Sequence, residues 1–337
     1  MNPLVSVVLP VCNGQETLAD ALQSIAEQTL TDHEVVVVVN GCTDDTLSIA
    51  ERFSRGDERV RVVVLEEAGL VPALNRGIAE ARAPLIARLD ADDRMMPERL
   101  ASQVRLLDDR PDWTVVACGV RHSPGAHDPG AGMQRHVEWL NSLRTPDAIR
   151  QARFIDSPVA HPSVAFRKEV IAELGGYRNG DFPEDYELWL RVMEAGKTIG
   201  HDDEVLVEWR DSAGRLTRTD SRYRADAHRA LRHRYLVFGP LAAGRHARVW
   251  GAGPFGRKHA GGLRRAGVPV DDLIDIDPRK IGRVVAGGLP VVGIDTLTGP
   301  DGRLVLLCVG SSGAREEMVQ VLAARGYRAE RDYLPLQ

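Results

Sequence analysis

Ile86-Ala87-Arg88-Leu89-Asp90-Ala91-Asp92-Asp93 runs an apolar strand straight into three carboxylates. Carboxylates crowded at a strand end repel one another, so they persist cheaply only where a cation or a solvated turn accommodates them. One reading is a divalent metal carrying a diphosphate. The other is a solvated acidic turn before the helix expected over Pro97 to Leu107, where acids suit the N-terminal end of the helix dipole.

Working outward, the first hundred residues alternate strands and helices. Val5 to Val11, Glu34 to Val39, Val60 to Leu65 and Leu85 to Leu89 are apolar runs of strand length bounded by turn residues. Between them, Leu18 to Ala26, Asp45 to Phe53 and Val71 to Ala81 carry apolar residues at helical spacing. This β-α-β-α-β-α-β order predicts an α/β domain with a parallel sheet wrapped by helices and chemistry at the carboxyl ends of its strands. The polar clusters Asn13 to Glu16, Asn40 to Asp45 and Asp90 to Asp93 all fall there.

At 337 residues, 43% hydrophobic and 27% charged, the chain has material for two domains and an ordinary buried core. Leu4 to Val11 reads at once as a strand with no basic region before it, so no export signal is expected. The most hydrophobic run, Val35 to Val39, is far short of a membrane span, which needs about 20 residues. Cys12, Cys42, Cys118 and Cys308 show no paired spacing, which argues against structural zinc and for a reducing compartment. A cytoplasmic protein is expected, with association at the membrane periphery left open.

The net charge of −5 is uneven. From Arg210 to Arg265, 14 Arg and Lys face only Asp211, Asp220 and Asp226. That excess fits either an anionic partner (nucleic acid, lipid headgroup, polyanionic glycan) or an Arg-rich helix paired with the acidic body of the same protein. His122 to Gly132 reads as a loop, and His122, His127 and His136 lack metal-ligand spacing and read as surface residues. Further on, His161-Pro162-Ser163 leads into a strand at Val164 to Phe166. Pro183-Glu184-Asp185 then opens a helix with the apolar stripe Leu188, Trp189, Val192 and Met193.

Five elements in this order resemble an inverting family 2 glycosyltransferase of the GT-A fold. They are Val7-Val8-Leu9-Pro10-Val11-Cys12-Asn13 with Glu16, Asn40-Gly41-Cys42-Thr43-Asp44-Asp45-Thr46, Leu89-Asp90-Ala91-Asp92-Asp93, His161-Pro162-Ser163-Val164, and Glu184-Asp185-Tyr186-Glu187-Leu188-Trp189. The resemblance covers Val5 to about Arg222. It implies transfer of a sugar from a nucleoside-diphosphate sugar, UDP-linked by expectation, to a glycan or glycoconjugate hydroxyl. By the same resemblance Pro10, Asn13, Glu16, Asn40, Asp90 and Ala91 line the donor, with Asp90 against the ribose. Asp92 binds Mg2+ or Mn2+, and Asp185 is the base that deprotonates the acceptor. Asp93 is left between capping a helix and orienting a metal-bound water. His161, Glu184, Trp209 and Arg210 fall on the acceptor or phosphate side, with Arg215 to Arg218 as a basic segment closing the donor site. The chain departs from the family at Val39-Asn40, where many members carry two acids. An amide at Asn40 can still meet a base edge through its donors and acceptor.

The C-terminal part reads differently. Ala247 to Trp250 is a strand, followed by Gly251-Ala252-Gly253-Pro254-Phe255-Gly256 and a helix to about Ala266. A second strand is expected over Leu273 to Asp277, then Leu304 to Val309, Gly310-Ser311-Ser312-Gly313 and a final helix. This is a Rossmann-like fingerprint in the proper context, with Asp275 or Asp277 placed for a ribose. The expected organisation is a GT-A domain over residues 1–210, a basic helical connector over 211–245, and a smaller Rossmann-like α/β domain over 246–337. Gly251, Gly253, Gly256 and Asp275 form a candidate second nucleotide site, and an NAD-binding oxidoreductase is the reading of another class. The layout also resembles queuosine-tRNA galactosyltransferases, through Asp92-Asp93-Arg94-Met95-Met96-Pro97, Trp139-Leu140-Asn141 before a helix, Pro183-Glu184-Asp185 and Asp275-Ile276-Asp277. That resemblance makes a modified tRNA the alternative acceptor.

Overall fold

The computed structural model describes residues 3–123, 131–211, 216–285, 287–310 and 313–336. His127, Arg215, Ser311 and Ser312 lie outside the described residues. Contacts divide the chain into two compact units, Met1–Arg150 with Pro158–Asp220, and Gln151–Ser157 with Ser221–Gln337.

In the first unit β1 (Val5–Val11), α1 (Leu18–Ala26), β2 (His33–Asn40), α2 (Thr46–Gly56), β3 (Val60–Leu65), α3 (Leu70–Glu80) and β4 (Leu85–Arg88) alternate as the periodicity predicts. The chain continues through β5 (Arg94–Met95), α4 (Arg99–Asp109), β6 (Trp113–Ser123), α5 (Ala131–Ser142), α6 (Pro146–Ala152), β7 (Ala165–Arg167), α7 (Lys168–Glu173), α8 (Glu184–Glu194), β8 (Thr198–Arg210) and α9 (Leu216–Thr219). Every residue of β1 and β2 is buried, as a continuous Val-rich run requires of strands covered on both faces. Val5, Val7, Leu9 and Val11 pack with Leu18, Leu22 and Ile25 of α1 and Leu100 and Leu107 of α4. On another face, Val36 and Val38 pack with Ala73 of α3. Each such side chain, fully buried, contributes about 1.5–3 kcal/mol.

The strand order is β3-β2-β1-β4-β7-β6-β8-β5. β3, β2, β1 and β4 are parallel, but β7 runs antiparallel to β4 and β6, and β5 antiparallel to β8. The alternating strands β1 to β4 are thus parallel as expected, and the later strands make the whole sheet mixed. Short β7 returns beside β4 only after β5, α4, β6, α5 and α6, so no single βαβ crossover links the two strands and β7 need not keep the parallel sense. The span read as a loop from His122 also shifts, since His122 lies within β6 and Gly132 within α5.

The second unit holds α10 (Ala225–Phe238), β9 (Ala247–Trp250), α11 (Pro254–Arg265), β10 (Val270–Ile274), β11 (Val284–Val285), β12 (Leu289–Val292), β13 (Leu304–Leu307), α12 (Ala314–Ala324) and β14 (Tyr333–Pro335). Its sheet, ordered β11-β12-β10-β9-β13-β14, is parallel from β12 to β14. β9 lies central, with its successors added outward on either side, the order of a doubly wound sheet. The expected strand over Leu273 to Asp277 instead ends at Ile274, because Asp275 turns its carboxylate back on the glycine loop. β14 follows the helix that was expected to be final.

Candidate active site

The register brings the polar clusters of the first unit to one sheet edge. Val11 pairs with Val39, Asn40 with Leu65, and Val8 with Arg88, so the segments after β1, β2, β3 and β4 emerge side by side. Ligand-atom oxygens of Asp90, Asp92 and Asp93 lie within 4.8 Å of one another. Asp90 and Asp92 are half-buried and Asp93 is fully buried. The reading of these acids as a helix-capping turn fails: β5 intervenes, and α4 starts after Glu98 without a side-chain cap. Asp93 is placed by its partner, since its Oδ1 accepts the Arg210 backbone N–H at 2.9 Å and ties the acidic turn to the end of β8.

On the donor side several expected contacts are already spent. Asn40 is 3% exposed; its Nδ2 donates to the Val11 carbonyl at 2.8 Å and its Oδ1 accepts from the Gly69 N–H at 2.9 Å. This corrects the expectation that it reads a base edge, because both ends of the amide are used inside the fold. Pro10 is buried within β1 and shapes the strand end rather than lining an open site. Asn13 adopts φ 53° and accepts the Thr43 N–H on Oδ1 at 2.8 Å, joining the loops after β1 and β2. Glu16 is exposed and lines an open depression with Gln15, Asp45, Ser48, Ile49 and Arg52. Ala91 is half-buried beside Gly14. Gly41, at φ +58°, has no room for a side chain: a Cβ there would lie 2.6 Å from the Ala68 nitrogen. Two of the scattered cysteines also meet here: the Cys42 thiol accepts the Asn13 N–H at 3.2 Å, and the Cys12 thiol donates to the Gly41 carbonyl at 4.0 Å.

On the other side, Asp185 is half-buried in the first turn of α8, and the preceding Glu184 is 1% exposed. Glu184 Oε1 stands 4.0 Å from His161 Nδ1, so it belongs to the interior rather than to an open acceptor surface. His161 Nε2 pairs with the Tyr177 hydroxyl at 2.7 Å. Burial, then the nearby Arg88 guanidinium, pushes the His161 imidazole well below its ordinary range, so it is neutral and offers no charge to a phosphate. Asn75 brackets Tyr177, donating to its carbonyl and accepting its N–H, each at 2.9 Å. Burial raises the Tyr177 phenol, which also feels the charges of Arg88, Asp185, Glu184 and Asp90. Arg88 and Tyr177 were given no role from sequence, although an Arg inside an apolar strand is itself the signal. Trp209 is half-buried within 6.3 Å of the His136 ring. Arg210 is not free to clamp a diphosphate, since its side chain pairs with Asp20 at 3.1 Å and Glu208 at 3.7 Å.

In the second unit, the glycine loop turns as expected. A Cβ at Gly256 would lie 1.7 Å from the Gly251 carbonyl, so the turn closes on bare backbone, and Gly253 caps α11. Asp275, however, accepts the Ala252 N–H, the Asp277 N–H and Lys280 Nζ, each at 2.9 Å. Burial would raise its carboxyl, but these partners outweigh it and hold it below the usual carboxylate range. Several cations of the basic stretch are likewise structural: Arg232 donates to the Ile155 carbonyl at 2.6 Å, and Arg248 pairs with Asp272 at 2.9 Å.

A mixed α/β sheet with an acidic turn at its carboxyl edge, and an acid-led helix in the same unit, is the arrangement of a GT-A sugar transferase. The glycosyl transferase family 2 profile matches residues 6–175, and the chain belongs to that family of enzymes. It is 29% identical over 214 residues to the O-antigen biosynthesis glycosyltransferase WbnJ of Escherichia coli, covering 61% of this chain and 79% of that one. It is 30% identical over 197 residues to the UDP-Gal:alpha-D-GlcNAc-diphosphoundecaprenol beta-1,3-galactosyltransferase of Escherichia coli, covering 58% and 69%. Among solved structures, the mannosyltransferase PcManGT from Pyrobaculum calidifontis, in complex with GDP-Man and Mn2+, aligns with TM-score 0.56 at 21% identity, covering 79% of this chain and 74% of that one. S. aureus TarS 1-349 in complex with UDP-GlcNAc aligns with TM-score 0.54 at 17% identity, covering 79% and 71%.

Proposed function

We propose that this glycosyltransferase moves a sugar, with inversion, from a UDP-linked donor to a hydroxyl of a glycan or glycoconjugate. The observation that carries this reading is the gathering of Asp90, Asp92 and Asp93 oxygens at the carboxyl edge of β4. Three carboxylates this close fit a hard divalent cation, which takes oxygen ligands at about 2.0–2.6 Å. Mg2+ or Mn2+ held by Asp92 with its neighbours would stabilise negative charge on the departing nucleoside diphosphate as a Lewis acid. Relatives named for O-antigen, amylovoran and diphosphoundecaprenol-linked chemistry support an envelope-type glycan acceptor. The aligned structures hold both UDP and GDP sugars, and the internal use of Asn40 removes one expected base contact.

Asp185 is assigned as the base. At the N-terminal turn of α8, facing the helix dipole, its ionised form is favoured. It takes the proton of the acceptor hydroxyl as that oxygen bonds the anomeric carbon, while the bond to the phosphate breaks on the opposite side and its electrons leave with the diphosphate. Asp90 meets the ribose. The second unit is read as a Rossmann-like module in which Asp275 holds the glycine loop.

Hydrolysis and binding assays with UDP- and GDP-sugars plus Mn2+ test the reading. Activity should vanish with EDTA and in Asp92→Ala. General-base catalysis contributes about 10²–10⁴-fold, so Asp185→Asn should lose transfer on that scale while binding UDP and Mn2+ as before. A metal-independent wild type, or equal loss of binding and turnover in Asp185→Asn, overturns it.

A further inference from the structure

Arg88 is the last residue of β4 and is 3% exposed. One of its amino groups pairs with Asp90 Oδ1, while its Nε and Nη1 are buried without a hydrogen-bond partner. Its carbonyl is held in turn by Nη2 of Arg99 at 2.9 Å, and that fully buried guanidinium also donates to the Val164 carbonyl at 3.2 Å. A line of fixed groups thus runs from α4, through the end of β4, to the Asp90 carboxylate. Burying a cation with two unmatched N–H groups is expensive, and an apolar side chain of similar volume would fill the space without that cost. Asp90 first, then Tyr177 and Asp93, offset that burial and keep the guanidinium charged, whereas His161 is neutral and bonded to Tyr177. What the arrangement accomplishes is to fix one carboxylate at the mouth of the site.

We propose that Arg88 is the positioning residue of the donor site, aiming Asp90 at the nucleotide ribose. This rests on the assignment of Asp90 to the donor, and it makes donor affinity depend on a side chain the ligand never touches.

The test is a double-mutant cycle on the full chain, titrated with UDP and Mn2+ and assayed for donor KM and kcat. Arg88→Met and Asp90→Asn are each expected to weaken UDP binding 10- to 100-fold, the loss falling on donor KM more than on kcat. The double variant should lose no more than the weaker-binding single variant, because Arg88 acts through Asp90. Arg88→Lys should recover at least threefold over Arg88→Met. Multiplying losses in the double variant, an unaffected Arg88→Met, or a fall in kcat with unchanged KM would each overturn the proposal. If Arg88→Met fails to melt cooperatively, Arg88→Gln takes its place in the cycle with the same criteria. A wild type that binds neither UDP nor GDP with metal removes the functional reading as well; a wild type that binds, with a cycle that is additive, removes only the role of Arg88.

Discussion

Asn40 shows how a residue can sit in the right place and be committed elsewhere. Its amide bridges the Val11 carbonyl and the Gly69 N–H, holding the ends of β1 and the loop after β3 against β2. Asn40→Ala would strand a buried donor, at about 1–3 kcal/mol for each group left unsatisfied. The expected result is a lower denaturation midpoint in urea with an unchanged slope; an unaltered midpoint would show that water replaces the amide. The acids at residues 90–93 were legible in the sequence, because so much charge at a strand end has few uses. Asn40 was not, because its partners lie 29 residues away in each direction. Arg88 and Tyr177 escaped for the same reason: burial and contact at a distance decide their roles, and neither is written in local spacing.

At the level of elements, the strands and helices through β4 were readable, since Val-rich runs and helical stripes announce themselves with turn residues between. The reversal at β7 was not, because a three-residue strand carries no periodicity and its direction is set by where the chain returns. The packing of α10 on α11 likewise depends on a contact invisible in either helix alone, the His233 Nε2 to His259 Nδ1 pair at 2.9 Å. Burial, then His259 and the cations Arg229, Arg232 and Arg265, depresses His233 to about 3. The unfolded chain takes up this proton near pH 6.5, before the folded one can. Stability from this site is therefore complete above about pH 6.5 and falls as pH drops toward 3, by at most about 1.4 kcal/mol per pH unit. Urea unfolding between pH 7.5 and 5 should show a shallower decline in His233→Gln than in the wild type; parallel declines would exclude His233 as the source.

Over the whole molecule, the charge asymmetry of the sequence is partly absorbed by the structure, since Arg232 and Arg248 are interior and matched. The glycine fingerprint was legible, but the satisfied state of Asp275 was not, and it bears on what the second unit can hold. Isothermal titration with NAD+ and NADH is expected to give no saturable heat; micromolar binding would reinstate a dinucleotide site at Gly251 to Gly256. Among the described residues no helix is long and apolar enough to cross a membrane. The four thiols are also unequal across the molecule. Cys118 and Cys308 are buried and pushed up to about 11 and about 12, whereas Cys12 is exposed in the loop after β1. Its thiol is raised by burial first and then by Cys42 and Asp44, so it ionises only in alkaline solution. A bulky alkylating dye applied there would attach beside the loops after β1 and β2 before it reaches either interior cysteine, giving the enzyme a built-in optical reporter at the edge where the donor is proposed to bind.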